Sequence, residues 1–178
     1  MVANVICWGR LLSRALVAAA ALLGLCLSAS TLAATPERAH SEAEIKQACQ
    51  QLVLDYASFR DQRRGEDFAN LFTVDGELAL NGDTFVGRKA LASRLSGDSR
   101  QRSRHLMTNI RVTIEDANHA HGISYALIFI ANEAAEVIAG PAAVANFTAM
   151  GEYHDEFIRT EQGWRIATRR FVPVFVPQ

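Results

Sequence analysis

The stretch NFTAMGEYHDEFIRTEQGWRIATRRF, residues 146–171, decides the fold class because it has the pattern of two long strands joined by a tight turn. Aromatic and β-branched residues recur through both halves, as is typical of strands, and the turn residues EQG lie between them at 161–163. Two more apolar or alternating stretches come before this pair in the chain. The C-terminal half is therefore predicted to form mostly antiparallel strands, at 106–115, 120–130, 146–160 and 164–171.

The segment before these strands has a helical pattern instead. Ser41 and Glu44 have the spacing of a capping box, and apolar residues then recur at helical intervals as far as Phe59. This first helix is expected to end near Arg64, because Gly65 follows as a stop signal. Its apolar stripe predicts a helix that packs one face against the sheet.

Two shorter helices and a small hairpin are predicted between the first helix and the long strands. Helices that precede a run of antiparallel strands indicate an α+β fold, with three helices packed on one face of a curved sheet. The predicted segments are helices at 66–72 and 88–95, turns at 75–76 and 81–83, and strands at 77–80 and 84–86.

The N-terminus has the three parts of a secretory signal peptide. Arg10 and Arg14 are its positive residues, an uncharged apolar run follows at 15–27, and small residues lead to a cleavage site after Ala33. The prediction is a periplasmic or secreted protein with no stable membrane anchor after cleavage. An uncleaved membrane anchor is the alternative. The predicted organisation is a signal peptide at 1–33, a linker at 34–40, one domain at 41–174 and a tail at 175–178.

Charge and cysteine content narrow the function. Cleavage removes Arg10 and Arg14 and no acidic residue. The number of Lys and Arg residues therefore falls from 18 to 16, while the number of Asp and Glu residues stays at 19. A mildly acidic domain lacks the basic footprint of a nucleic-acid-binding protein. Only Cys49 remains in the mature chain, which excludes an internal disulfide, and its place on the apolar stripe predicts a buried and inert thiol.

Several short motifs carry a resemblance to a known family. In chain order they are YASFRD at 56–61, FANLFTVDG at 68–76, GRKAL at 87–91, RHLMTN at 104–109, GEYHD at 151–155, and GWRI at 163–166 with Arg169 after it. Together they resemble the SnoaL-like family of the nuclear-transport-factor-2-like (NTF2-like) superfamily. The resemblance implies a cone-shaped half-barrel, in which a curved sheet wraps the helices and leaves a pocket for a small hydrophobic ligand. Homodimers are common in that family, so a homodimer is also implied.

The resemblance also implies a catalytic pair. Asp61 and His105 stand where dehydratase and dehydrochlorinase relatives have an Asp–His dyad, in which the carboxylate fixes the imidazole tautomer and the other ring nitrogen removes a proton. Arg169 is the candidate donor to the leaving group. This chemistry needs no cofactor. Further hydrogen bonds to the substrate are expected from Tyr56, Asn109 and Tyr153.

Alternatives stay open at each of these positions. Asp61 lies among arginines and has the alternative of pairing with one of them. Side chains alternate between the two faces of a strand. In an unbroken strand, His105 would therefore lie on the face opposite Ile110, and Arg169 on the face opposite Trp164. A bulge in either strand would bring the two side chains to the same face. Arg60 replaces a tyrosine that some dehydratase relatives use. His119, His121 and the pair His154-Asp155 show no repeated ligand spacing, so no metal is predicted.

Three functions are compatible with the sequence. The first is an exported, cofactor-free lyase or isomerase, the second is a non-catalytic small-molecule-binding domain, and the third is a dimeric assembly module that uses the outer face of its sheet. The apolar connection at 131–145 is either a lid or partner contact, or an extension of a hairpin.

Overall fold

A computed structural model describes residues 41–96, 101–132 and 141–178 of the chain. The predicted signal peptide and linker, and most of the connection at 131–145, lie outside the described residues. The helices are α1 (Glu42–Asp61), α2 (Gly65–Asn70) and α3 (Gly87–Leu95). The strands are β1 (Phe72–Leu80), β2 (Asp83–Val86), β3 (Gln101–Ile114), β4 (His119–Asn132), β5 (Ala149–Thr160) and β6 (Gly163–Phe175).

Helix α1 begins at the predicted capping box. The backbone N–H of Glu44 donates to the Ser41 hydroxyl at 3.3 Å, and the Glu44 carboxylate accepts from the backbone N–H of Ser41 at 2.7 Å. The helix ends at Asp61, somewhat earlier than predicted, because Arg63 adopts a left-handed conformation with φ of 56°. Its buried stripe consists of Ile45, Cys49, Leu52, Val53, Tyr56 and Ala57.

Strand β1 corrects two sequence-based boundaries. Helix α2 ends at Asn70 instead of Phe72, and Asp75-Gly76 lies inside β1 instead of forming a turn before it. The register of β1 against β6 shifts at this point, which is a bulge. A Cβ at Gly76 would lie 2.8 Å from the Phe72 Cβ, so the glycine serves the close approach of the chain to buried Phe72.

The hairpin between β1 and β2 closes through two residues instead of three. Asn81 and Gly82 have φ of 52° and 92°, and Leu80 pairs directly with Asp83. Two successive left-handed residues match the twist of the flanking strands, which explains the Asn-Gly sequence.

The six strands form one sheet in the order β2-β1-β6-β5-β4-β3, and every neighbouring pair is antiparallel except β1 and β6. Helix α1 packs across β3, and the core lies between the helices and the inner face of the curved, unclosed sheet. The predicted α+β fold, with three helices against a mostly antiparallel curved sheet, is confirmed. Among the described residues, no helix is long and apolar enough to cross a membrane.

A bulge in β3 determines which side chains face the helices. The pairing of β3 with β4 shifts between Thr108 and Arg111, where Asn109 has φ of 49°. His105 is buried before the bulge, and Ile110 packs against the core after it. The bulge therefore places His105 and the later apolar residues on the same face of the sheet.

A second bulge does the same in β6. Phe157 pairs with Ile166 and Glu156 pairs with Thr168, so Ala167 has no partner in the register. Ile166 before the bulge and Arg169 after it are both fully buried. The bulge that the sequence analysis left open is therefore present in each strand, and its one extra residue brings His105 and Arg169 to the inner face.

Candidate functional site

The end of α1 and the first half of β3 bring Asp61 and His105 together. Asp61 Oδ1 lies 2.6 Å from His105 Nδ1, and Oδ2 accepts from the His105 backbone N–H at 2.9 Å. The Ser103 hydroxyl also donates to Oδ1, at 2.8 Å. Three donors from β3 therefore hold the carboxylate of Asp61. The nearby arginines have other partners, because Arg60 donates to His105 and Arg64 donates to Asp67.

These contacts determine the state of the imidazole ring. Arg60 Nε donates to His105 Nε2 at 2.9 Å. Because a guanidinium group can only donate, Nε2 carries the lone pair and Nδ1 carries the proton given to Asp61. The His105 side chain has no exposed surface. Burial lowers the pKa of His105, Asp61 opposes that shift and Arg60 reinforces it, and the result is a lowered pKa. His105 is therefore a neutral base at neutral pH.

Asp61 remains ionised beside this neutral ring. Partial burial pushes the pKa of Asp61 up, but the hydrogen bonds from His105 and Ser103 outweigh burial and leave the pKa below its usual value. A carboxylate in this position fixes the tautomer of His105 and leaves Nε2 as the basic atom.

Arg169 lies on the inner face but is already paired. Its Nε and Nη2 donate to the two carboxylate oxygens of Asp155 at 2.6 and 2.7 Å, and neither side chain is exposed. The guanidinium carbon lies 4.1 Å from the ring centroid of Tyr56 and 4.7 Å from that of Tyr153. Burial opposes the charge of Arg169, but Asp155 outweighs burial and raises the pKa of the arginine. Only Nη1 remains unpaired, and it is buried.

Tyr56 and Tyr153 lie beside Arg169 in the interior. Their hydroxyls are 3.4 Å apart, their ring centroids are 5.3 Å apart, and both residues are fully buried. Burial, with the neighbouring Tyr56, raises the pKa of Tyr153 well above its usual value. Phe68 and Phe72 pack against Tyr56, so the described chain's own aromatic side chains fill this part of the interior.

Asn109 does not join the other predicted site residues. It is exposed at the β3 bulge, and it lines a cavity of about 320 Å³ on the outer face of the sheet with Arg111, His121 and Tyr125. A second cavity of about 240 Å³ lies between β3, β4 and residues 141–144. The structure therefore separates two inner groups, Asp61 with His105 and Arg169 with the tyrosines, from Asn109 outside.

The remaining histidines lie apart from each other. His119 pairs with Asp116 at 2.9 Å, His121 pairs with Glu115 at 3.1 Å, and each of these side chains is about half exposed. His154 points away from its neighbour Asp155 because side chains alternate along β5. In the described ranges, no three His, Cys, Asp or Glu residues are arranged to hold a metal ion. Cys49 is fully buried, and burial together with the charge of Asp155 raises the pKa of its thiol to about 12.

Sequence reasoning missed four residues that shape the site. Ser103 and Asp155 are inner-face positions of β3 and β5, so strand alternation counted from His105 and Tyr153 was the available signal. Arg60 was noted only as a departure from a family pattern. Arg94, in the last turn of α3, lies 4.7 Å from the Phe85 ring centroid, and its Nε is buried without a partner among the described residues.

Comparisons with known proteins agree with this fold. The family model for the SnoaL-like domain matches residues 41–170. The uncharacterised Mycobacterium tuberculosis protein Rv2910c is 30% identical over 126 residues, which cover 67% of this chain and 79% of that protein. Among solved structures, a variant of the M. tuberculosis protein Rv3472, of unknown function, is 29% identical with a TM-score of 0.61, over 75% of this chain and 77% of that one.

A structure of lower identity has a named activity. A type 2 hexachlorocyclohexane dehydrochlorinase (LinA) is 18% identical with a TM-score of 0.62, over 75% of this chain and 87% of that one. At this identity the similarity is one of fold.

Proposed function

This chain belongs to the SnoaL-like family, and we propose that it is an exported, cofactor-independent lyase of the dehydratase type, or an isomerase, that uses His105 as its general base on a small hydrophobic molecule. The observation that carries the proposal is the buried contact of 2.6 Å between Asp61 Oδ1 and His105 Nδ1. This contact leaves Nε2 as the proton acceptor. A positioned base contributes about 10²–10⁴-fold in rate.

The proposed reaction begins at His105 Nε2. This atom removes a proton from the carbon next to the one that carries the leaving group, and the C–H electron pair forms the double bond. The C–O bond breaks as this double bond forms, and the departing hydroxide takes the proton back from Nε2 and leaves as water. In an isomerase, Nε2 returns the same proton to a different carbon. Asp61 stays ionised throughout and stabilises the transient imidazolium.

In the protein without substrate, Arg60 Nε donates a hydrogen bond to His105 Nε2 at 2.9 Å. The substrate therefore has to displace this guanidinium group before a proton can move. The displaced Arg60 then remains beside the reacting atoms as a donor, a role for which Arg169 has only its Nη1 left.

The test compares two histidines that each contact a carboxylate. His105→Gln and the control His119→Gln, whose histidine pairs with Asp116 on the surface, are incubated with a panel of cyclic β-hydroxy ketones. The appearance of the conjugated enone is followed by absorbance. We expect turnover in the wild type and in His119→Gln, and a loss of about 10²-fold or more in His105→Gln. Equal turnover in both variants contradicts the proposal.

A non-catalytic binding or assembly module is the second candidate. The observation that favours it is the packing of the interior, where the centroid of the Tyr56 ring lies 5.0 Å from that of Phe68 and 5.3 Å from that of Tyr153. A screen of the same panel by thermal shift separates the candidates. Stabilisation without conversion supports a binding module, and neither stabilisation nor conversion supports an assembly module.

Export of the protein belongs to the same proposal. The three-part pattern at 1–33 supports export to the periplasm or medium. Expression in a Gram-negative host, followed by intact-mass measurement of the periplasmic fraction, is expected to find a chain that begins at Ala34. A chain that retains residues 1–33 in the membrane fraction contradicts cleavage.

A further inference from the structure

Among the described residues, three arginines and two carboxylates act on the inner polar site. Arg60, Arg94 and Arg169 each interact electrostatically with the buried hydroxyl of Tyr153. We name these three residues the arginine cluster. In the described ranges, the two carboxylates at this site are Asp61, which accepts from His105 and Ser103, and Asp155, which accepts twice from Arg169.

Arg60 lacks the partner that a guanidinium group prefers. Its Nε–H donates to the neutral Nε2 of His105, and within the described ranges no carboxylate lies within ion-pair distance of it. Arginine binds carboxylates through two parallel, charge-assisted hydrogen bonds, which are stronger than a bond to a neutral acceptor. An anion that enters beside His105 would therefore replace a weaker contact of Arg60 with a stronger one.

Arg94 provides the independent observation. Its Nε has no exposed surface and no hydrogen-bond partner in the described part of the chain. Its guanidinium group stacks on the ring of Phe85, and Asp83 acts on it only at longer range. Burial lowers the pKa of Arg94, the charge of Arg60 lowers it further, and the opposing charges of Asp83 and of the two tyrosines do not restore it. A buried donor without a partner is costly unless a ligand satisfies it.

We propose that the substrate of this site is an anion, a small cyclic or aromatic carboxylic acid whose carboxylate binds between Arg60 and Arg94 next to His105. This inference rests on the proposed function for the chemistry at His105, but the binding that it describes does not require turnover. It narrows the small hydrophobic substrate to an acid, whose carboxylate gives Arg60 the charged acceptor that it lacks. Arg169 is not the binding residue because Asp155 occupies it.

The contact between Arg60 and His105 connects binding of the acid to the basicity of His105. A carboxylate on Arg60 removes that guanidinium from Nε2 and neutralises a charge that lowers the pKa of His105. In the part of the chain that the structure describes, the charged groups that act on His105 are Asp61, Arg60 and Arg169, and of these Arg60 changes partner when the acid binds. Binding of an acid would therefore free the basic nitrogen and make it more basic, whereas a neutral ligand of the same shape would have to displace Arg60 without giving it a countercharge.

The test uses benzoate and benzamide, which share a ring and differ in charge. Each is titrated into the full-length mature protein by calorimetry, and the His105 ring is followed by NMR across pH. We expect benzoate to bind about tenfold or more tightly than benzamide, the order of one additional charge-assisted interaction, and to raise the pKa of His105. Equal affinities, no saturable binding of benzoate, or an unchanged pKa of His105 would each overturn the proposal.

Variants locate the anion. Arg60→Gln and Arg94→Gln are each expected to abolish the preference for benzoate, and Arg170→Gln is the control because Arg170 is the exposed neighbour of Arg169 on the opposite face. A preference that survives in both Arg60→Gln and Arg94→Gln overturns the assignment.

Circular dichroism checks that each variant folds, and if one does not, the two wild-type titrations decide alone. His105→Gln is expected to lose turnover and keep benzoate binding, so failure of catalysis and failure of anion binding are distinguishable.

Discussion

His105 is held at several atoms by neighbours with different effects. Asp61 accepts from both its backbone N–H and Nδ1, and Arg60 donates to Nε2. Since the ring is buried without a compensating negative charge at Nε2, the pKa of His105 is lowered. The residue therefore enters any reaction as a neutral base in a single tautomer, which is the state that proton abstraction needs.

This lowered pKa predicts a pH dependence of stability. The unfolded chain, with a histidine pKa near 6.5, takes up a proton before the folded chain does, so stability is lost as pH falls below about 6.5. Asp61 acts in the same direction below about 3.8, because its folded pKa is also lowered. Urea unfolding from pH 7 to 4.5 should show that the free energy of unfolding falls less with pH in His105→Gln than in the wild type, by about 1.4 kcal/mol for each tenfold difference in proton affinity between the folded and unfolded histidine. His119→Gln should parallel the wild type, and an unchanged slope in His105→Gln would refute the assignment.

The buried pair of Asp155 and Arg169 predicts a large single-residue effect. Asp155→Asn keeps the shape of the side chain but leaves the buried guanidinium group without its countercharge. Breaking a buried pair in this way costs about 3–5 kcal/mol in the free energy of unfolding. The control is Glu156→Gln on the exposed face, with an expected change within about 0.5 kcal/mol. A loss below about 1 kcal/mol for Asp155→Asn in urea unfolding would show that the pair is dispensable.

Among the elements, β3 and β6 depend on one extra residue each. Asn109 and Ala167 interrupt the pairing of their strands, and each bulge reverses which face the following side chains occupy. Without the bulge in β3, His105 and Ile110 would lie on opposite faces of the sheet. The two bulges thus let polar site residues share a face with the core.

The left-handed conformation of Asn109 can be tested by substitution. Asn109→Val should destabilise the protein by about 1–2 kcal/mol because a β-branched residue is strained at φ of 49°, and Asn109→Gly should have little effect. Thr108→Val, at an exposed position of the same strand, is the control. Thermal unfolding measures all three. Equal stability of the valine and glycine variants would contradict the bulge geometry.

The whole molecule presents an outer sheet face with apolar side chains. Leu106, Ile123 and Tyr125 are 50%, 40% and 37% exposed on β3 and β4. A patch of exposed apolar residues commonly marks an interface, and a homodimer was predicted from the family resemblance. We expect light scattering to give the mass of a dimer for the mature chain and of a monomer for Leu106→Lys. Val74→Lys, on β1, should remain dimeric, and a monomeric wild type would contradict the prediction.

Local features of the sequence were sufficient for most elements. The capping box at Ser41, the Asn-Gly turn and the alternation of the strands each act within a few residues, so they can be read without knowing the fold. The boundary at β1 was missed because Asp75-Gly76 is a turn signal by composition, while the close approach of Phe72 that requires glycine is a tertiary contact.

The sequence by itself determined the fold class, the family and the candidacy of Asp61 and His105. The tertiary structure alone decided that both side chains meet, that Asp155 takes Arg169, and that Arg60 rests on Nε2 of His105. The physical reason is that a bulge adds one residue without changing the apolar pattern, yet it reverses every later side chain in the strand. Arg60 and His105 are 45 residues apart in the chain, and their hydrogen bond exists only because α1 packs against β3.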